Sequence, residues 1–174
     1  HWRRNEISGK LDSRMEKNRR ALLLTRGADF VRRIRGLDGI LRIALVGSLC
    51  TRKAWPKDID FLLSIRPGME LATLARLSRS LKGATQSLSS GADIFLEEEG
   101  RYLGRICGYR ECHPRVRCLA LHCGRRPHLN DDLNTLRLDE GLIADPPLIL
   151  WPEWKARPGV PEDALNHLRR GIEG

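Results

Sequence analysis

The chain has 174 residues, of which 41% are apolar and 30% charged, and it carries a formal net charge of +9. That composition is ordinary for a globular protein with one sizeable domain. No apolar run approaches the roughly 20 residues of a membrane helix, and arginines interrupt the early cluster Ala21-Leu22-Leu23-Leu24; no membrane partner and no signal peptide are expected, and the cytoplasm is the expected location.

In chain order, Met15 to Ile34 has helical spacing, with Leu22, Leu23, Phe30, Val31 and Ile34 on one stripe and arginines elsewhere. Gly36, Asp38 and Gly39 end it. Ile40 to Val46 reads as a first strand, and the Gly47-Ser48 turn then opens a short helix through about Arg52. Trp55-Pro56-Lys57 is a loop, and Asp58 to Ile65 is a second strand closed by Arg66-Pro67-Gly68. Leucines at 71, 74, 77 and 81 predict an amphipathic helix over Glu70 to Leu81, whose leucines face the core. Ser87 to Gly91 turns the chain into a third strand, Ala92 to Glu98. Strands alternating with helices give an α/β (α+β) protein, a small mixed sheet backed by helices.

Beyond Tyr102 the character changes. Asn130 to Leu138 reads as a strand or turn, and Asp145-Pro146-Pro147 with Trp151-Pro152 as an extended segment on the surface. Pro161-Glu162-Asp163 opens a last helix to about Gly171, with proline in the first turn and arginines in the last. Three segments follow: a basic helical segment, 1–36; a core, 37–106; and a Cys/His-rich extension, 107–174.

The charge is uneven. Residues 1–35 carry eleven Lys/Arg against four Asp/Glu, and residues 101–128 carry seven Arg against one Glu. Two basic blocks around an acidic centre suit a polyanionic substrate such as nucleic acid. The other explanation is a solvated helix face plus an arginine-rich loop. Aromatic residues are only 5% and do not interleave with the arginines, so no stacking platform for single strands is evident.

Ile43 to Ile65 holds the chemistry. An apolar run ends in Gly47-Ser48, and Asp58-Ile59-Asp60 leads into the next apolar run. Carboxylates two positions apart on a strand share a face, giving paired hard-oxygen ligands for Mg²⁺. A glycine-serine turn after a strand offers N–H groups and a hydroxyl to phosphate oxygens. Either element alone is a common turn or loop feature.

The joint pattern Val46-Gly47-Ser48 with Asp58-Ile59-Asp60-Phe61 resembles the nucleotidyltransferase superfamily, which includes DNA polymerase beta, the CCA-adding enzymes and the small minimal nucleotidyltransferases. The match covers Leu41 to Glu98. The resemblance implies the nucleotidyltransferase fold and a third carboxylate on a later strand. Asp93 in Gly91-Ala92-Asp93-Ile94-Phe95-Leu96 fills that place, with Glu97 as the fallback and Glu97 to Glu99 read as a solvated strand end. It further implies transfer of a nucleoside monophosphate from an NTP such as ATP to an acceptor hydroxyl, with release of pyrophosphate. Asp58 and Asp60 would hold two Mg²⁺ ions, and Asp93 would share one and act as general base. Gly47 would allow close backbone approach, and Ser48 would bind the terminal phosphates. Arg52, Lys53 or Lys57 would add positive charge.

The acceptor is open between an RNA or tRNA 3′ end, a protein side chain and a small antibiotic-like molecule. Minimal members often form half of a toxin–antitoxin pair, acting on a partner protein or on tRNA. The basic N-terminal helix and the cysteine-rich tail depart from that subgroup. A reading of another class is a non-catalytic nucleic-acid- or protein-binding module on the same fold.

Four of the five cysteines, Cys107, Cys112, Cys118 and Cys123, fall within seventeen residues, with His113, His122 and His128 among or just after them. Clustered thiolates in a reducing compartment suit a structural Zn²⁺ that staples a loop-rich segment, and a histidine could replace one thiolate. Reduced, unliganded thiols, disulfides and an iron–sulfur cluster are the alternatives. Cys50 is read as a packing residue.

Overall fold

The structure is a computed structural model that describes residues 2–53, 55–108, 126–130 and 138–174, with side chains from residue 13 onward. Helix α1 spans Trp2–Ile34. Its buried positions, Leu23, Leu24, Ala28, Phe30, Val31 and Ile34, follow helical spacing, and Arg32 and Arg33 in the last turn complement the helix dipole. Leu22, expected on the stripe, is instead 46% exposed. Three consecutive leucines span about 200° of a helix, so one of them must turn outward.

Strand β1 is Ile40–Val46, followed by a single 3₁₀ turn, Ser48–Cys50, shorter than the helix expected there. The remaining elements are β2 (Asp58–Ile65), α2 (Ala72–Gln86), β3 (Gly91–Glu98), β4 (Arg101–Ile106), β5 (Leu129–Asn130), α3 (Glu140–Ala144), β6 (Leu148–Trp151), β7 (Lys155–Ala156) and α4 (Glu162–Glu173). Helix α2 begins two residues later than the leucine pattern predicts and runs five residues further.

The seven strands form one mixed sheet in the order β5-β4-β3-β2-β1-β6-β7. Strands β2 and β3 are parallel, joined through α2 as a parallel pair requires. The β1–β2, β3–β4, β4–β5, β1–β6 and β6–β7 pairs are antiparallel. The expectation of a mixed sheet backed by helices holds, but the sheet is wider than its first three strands. The segment expected to be surface-extended is strand β6, paired with β1, with Leu148 and Leu150 buried. Residues 138–174, read as part of an extension, thus complete the sheet and supply α4, which packs on α1.

Period-two alternation divides the strands between two cores. Ile43 and Leu45 of β1, Ile59, Phe61 and Leu63 of β2, and Ile94 and Leu96 of β3 join Leu23, Phe30, Leu74 and Leu168 from the helices. Ala44, Val46, Leu62, Phe95 and Tyr102 form a smaller cluster on the opposite face, where Ile143 of α3 packs. Asp58, Asp60 and Asp93 share the parity of Leu62 and Phe95, and so belong to that second face.

Candidate active site

Topology assembles the site. Because β1 and β2 are antiparallel, the end of β1 meets the start of β2; because β2 and β3 are parallel, their starts coincide. Asp60 therefore lies opposite Val46 on one side and Asp93 on the other, and Asp58 lies opposite Gly91. The three residues singled out in the sequence as acids come together: carboxylate oxygens of Asp58, Asp60 and Asp93 all lie within 4.8 Å of one another. The expected alternation on β3 is present, with Asp93 and Phe95 on the second face and Ile94 and Leu96 in the main core.

Glu97 is not part of this group. It sits four residues further along β3, about 13 Å away at strand rise. Contrary to the expectation of a solvated strand end, it is only 7% exposed. Its carboxylate accepts from the Gly100 N–H at 2.8 Å and lies 4.0 Å from Arg42. Glu99 alone of that run is fully outward.

The electrostatics are those of a crowded, half-buried carboxylate cluster. Burial pushes the Asp60 carboxyl up to about 7, and the charges of Asp93 and then Asp58 push the same way, opposed by Arg105. Arg105 of β4 pairs with Asp93, Nη1 to Oδ1 at 3.1 Å. Three carboxylates against this guanidinium leave an excess of negative charge, and hard oxygen donors at this spacing could hold a divalent metal ion. Sequence reasoning missed Arg105, whose place follows from the β3–β4 register rather than from any motif.

Two glycines shape the cluster. Gly47 has φ +78°, the left-handed region, and a Cβ there would overlap Oδ2 of Asp60. A Cβ at Gly91 would overlap Oδ1 of Asp58. Gly47→Ala is expected to lower divalent-cation affinity at least about tenfold and, at φ +78° and ψ −157°, to cost about 1–3 kcal/mol of stability from the backbone alone. Gly91→Ala, with no such backbone penalty, should weaken cation binding with little loss of stability. Titration calorimetry with Mg²⁺ and thermal melts of both variants check this pair; unchanged affinity in both would show that neither glycine shapes the carboxylates.

Ser48 is half-buried at the start of the turn, and Arg52, Lys53 and Lys57 are exposed beyond it. Cys50 is a buried thiol that donates to the Leu45 carbonyl at 3.3 Å. Burial, helped by the charge of Asp60 and opposed by Arg20, pushes it up to about 12, so it is neutral and packs like a small apolar group. Of the proposed zinc ligands, Cys107 is half-buried just past β4, while Cys112, Cys118 and Cys123, with His113 and His122, lie outside the described residues. Among the described residues the three aspartates are the one group positioned for a metal.

No protein-family model, curated protein or solved structure matches the chain. No helix among the described residues is long and apolar enough to cross a membrane.

Proposed function

We propose that this chain is a Mg²⁺-dependent nucleotidyltransferase, moving a nucleoside monophosphate from an NTP to a hydroxyl on an RNA or tRNA 3′ end or on a protein side chain. The observation that carries the reading is the meeting of Asp58, Asp60 and Asp93 within 4.8 Å beside the Gly47 turn. An isolated Asp-x-Asp in a loop gives no reason for a third carboxylate to be brought to it, nor for glycines where any side chain would displace two of the three. The elevated Asp60 carboxyl supports a site suited to a cation, since such crowding is costly without a counter-charge.

On this reading Asp58, Asp60 and Asp93 hold the metal. Bound Mg²⁺ supplies charge neutralisation for the triphosphate and a lowered pKa for the acceptor hydroxyl. Asp93, oriented by Arg105 at 3.1 Å, receives the hydroxyl proton. The acceptor oxygen bonds to the α-phosphorus as the bond to the β-phosphate oxygen breaks, and pyrophosphate leaves. Gly47 keeps the turn free of a side chain, and Ser48 offers its hydroxyl to the terminal phosphates.

The test is to incubate the protein with each labelled NTP, Mg²⁺ and total RNA or cell lysate, beside an Asp58→Ala/Asp60→Ala variant. Label moving to RNA or to protein only with the unaltered chain supports the reading and names the acceptor class. RNA or protein binding without transfer, identical in the variant, overturns it in favour of a non-catalytic module.

A further inference from the structure

Among the described residues Arg20 is the only buried cation, 5% exposed, beside a half-buried Arg19 that donates to the Pro56, Leu88 and Ser89 carbonyls. Its guanidinium joins segments remote in sequence. Nε donates to Oδ2 of Asp163 at 2.7 Å and Nη2 to Oδ1 at 3.2 Å, a two-point fork on the first turn of α4. Nη2 also donates to the Leu49 carbonyl at 3.2 Å, and Nη1 to the Lys53 carbonyl at 3.3 Å. Asp163 is held in turn by the Ala164 N–H at 2.9 Å. Burial raises the Asp163 carboxyl, but the Arg20 hydrogen bonds and charge, with smaller help from Ala164 and His167, bring it below its ordinary value.

Leu49 is the middle residue of the 3₁₀ turn that Gly47 and Ser48 open. The other carbonyls there are tied locally: Leu45 to the Cys50 thiol, Gly47 to the Cys50 N–H at 3.1 Å, and Ser48 to the Thr51 N–H at 3.1 Å and hydroxyl at 2.7 Å. Arg20 anchors the turn to α1 and, through Asp163, to α4. Peptide planes are rigid, so the fixed Leu49 carbonyl also fixes the Cys50 N–H, the donor that closes the turn on the Gly47 carbonyl. A turn closed in this way holds the direction of the N–H groups before it, and backbone N–H groups can cradle an anion only when so held. An ion pair with one buried partner, as here, adds little net stability over apolar residues of the same size. What this pair does that apolar residues cannot is donate to the turn's carbonyls.

We propose that Arg20, oriented by Asp163, is a positioning residue that holds the Gly47–Ser48 turn in the shape that receives the terminal phosphates of the nucleotide. This rests on the nucleotidyltransferase reading. Arg20 does not touch the aspartates' metal in this scheme; it acts on the turn alone. Lysine at position 20 keeps a charge for Asp163 but lacks the planar fork that reaches two carbonyls and two carboxylate oxygens together.

The test compares Arg20→Lys, Arg20→Met and Asp163→Asn with the unaltered chain. It measures binding of Mg²⁺ alone, of the NTPs with Mg²⁺, and of the matching nucleoside monophosphates. Expected is a loss of about tenfold in NTP affinity, with Mg²⁺ and monophosphate affinities held within about twofold. Where Arg20→Met does not fold, the lysine and asparagine variants carry the same readout. Folded variants that bind NTP like the unaltered chain overturn the proposal, as does an equal loss for NTP, monophosphate and Mg²⁺, which marks general loosening. An unaltered chain that binds Mg²⁺ but no NTP overturns the nucleotidyltransferase reading itself, and this proposal with it.

Discussion

Asp60→Asn is expected to cut nucleotidyl transfer about 10³-fold or more while raising the melting temperature of the metal-free protein at pH 8. The two effects have one cause. Asp60 is flanked by Val46 on one strand and Asp93 on the other, and burial and its neighbours push its carboxyl up to about 7. In the unfolded chain an aspartate titrates near its ordinary value. Between about pH 4 and 7 the folded protein therefore binds a proton that the unfolded chain has released, and stability falls as pH rises through that window. Above 7 the full cost is present. Asparagine removes the charge, so the gap between variant and parent is absent at pH 4, opens with rising pH and is complete above 7. A gap of at least about 5 °C is expected, since even half of the Asp60 shift is worth about 2 kcal/mol and 1 kcal/mol moves the melting of a domain this size by about 2–4 °C. Added Mg²⁺ should stabilise the parent and leave the variant unmoved. Because a proton must leave Asp60 before a cation binds, Mg²⁺ affinity in the parent should rise about tenfold per pH unit up to 7 and then level. Melts and calorimetry across pH 5 to 9 decide it, and an Asp60→Asn protein that still answers to Mg²⁺ would remove Asp60 from the metal site.

Asp93→Asn is expected to abolish detectable transfer, at least about 10³-fold, while leaving NTP binding within about threefold. The asymmetry follows from where Asp93 sits. Asp58 and Asp60 come from one strand and stay paired without it, whereas Asp93 comes from β3 and is the acid held by Arg105. Removing its charge leaves the side proposed to bind phosphate intact and deprives the reaction of the group proposed to take the acceptor's proton. Arg105→Lys should share the defect in milder form, because a lysine keeps the charge but carries it on a more flexible stem without the rigid guanidinium plane. Single-turnover transfer beside equilibrium NTP binding separates the two steps. Activity retained in Asp93→Asn would assign proton transfer elsewhere; Glu97, buried further along β3 and held by the Gly100 N–H, is too remote to take over.

The acids were readable from the sequence because strand parity is a local property. Asp58 and Asp60 share a face wherever β2 is placed, and Asp93 sits among apolar residues whose alternation fixes its side. Arg105 and Gly91 were not readable, since each matters only through a pairing register that no single strand contains. Arg20 was hidden by its company: in a helix rich in arginine nothing local distinguishes the buried one, and its partner lies 143 positions away. Strand β6 was obscured by prolines at 146, 147 and 152, which read as breakers of a surface segment but act as its borders. The Leu22-Leu23-Leu24 run offered three candidates for a stripe that holds two.

Helices α1 and α4, remote in sequence, are stitched together. Helix α1 lies against α4, Arg35 donates to the Ile172 carbonyl at 3.2 Å, and Arg20 reaches Asp163. Synthesis runs from one end to the other, so a nascent chain carries all three acidic residues well before it carries the partners of its first helix. Until residue 163 has emerged, the Gly47–Ser48 turn lacks part of its anchorage, and until 148–151 has emerged, β1 has an open edge. The order of translation thus puts the three acidic residues on the nascent chain before the residue that completes the anchorage of the turn beside them.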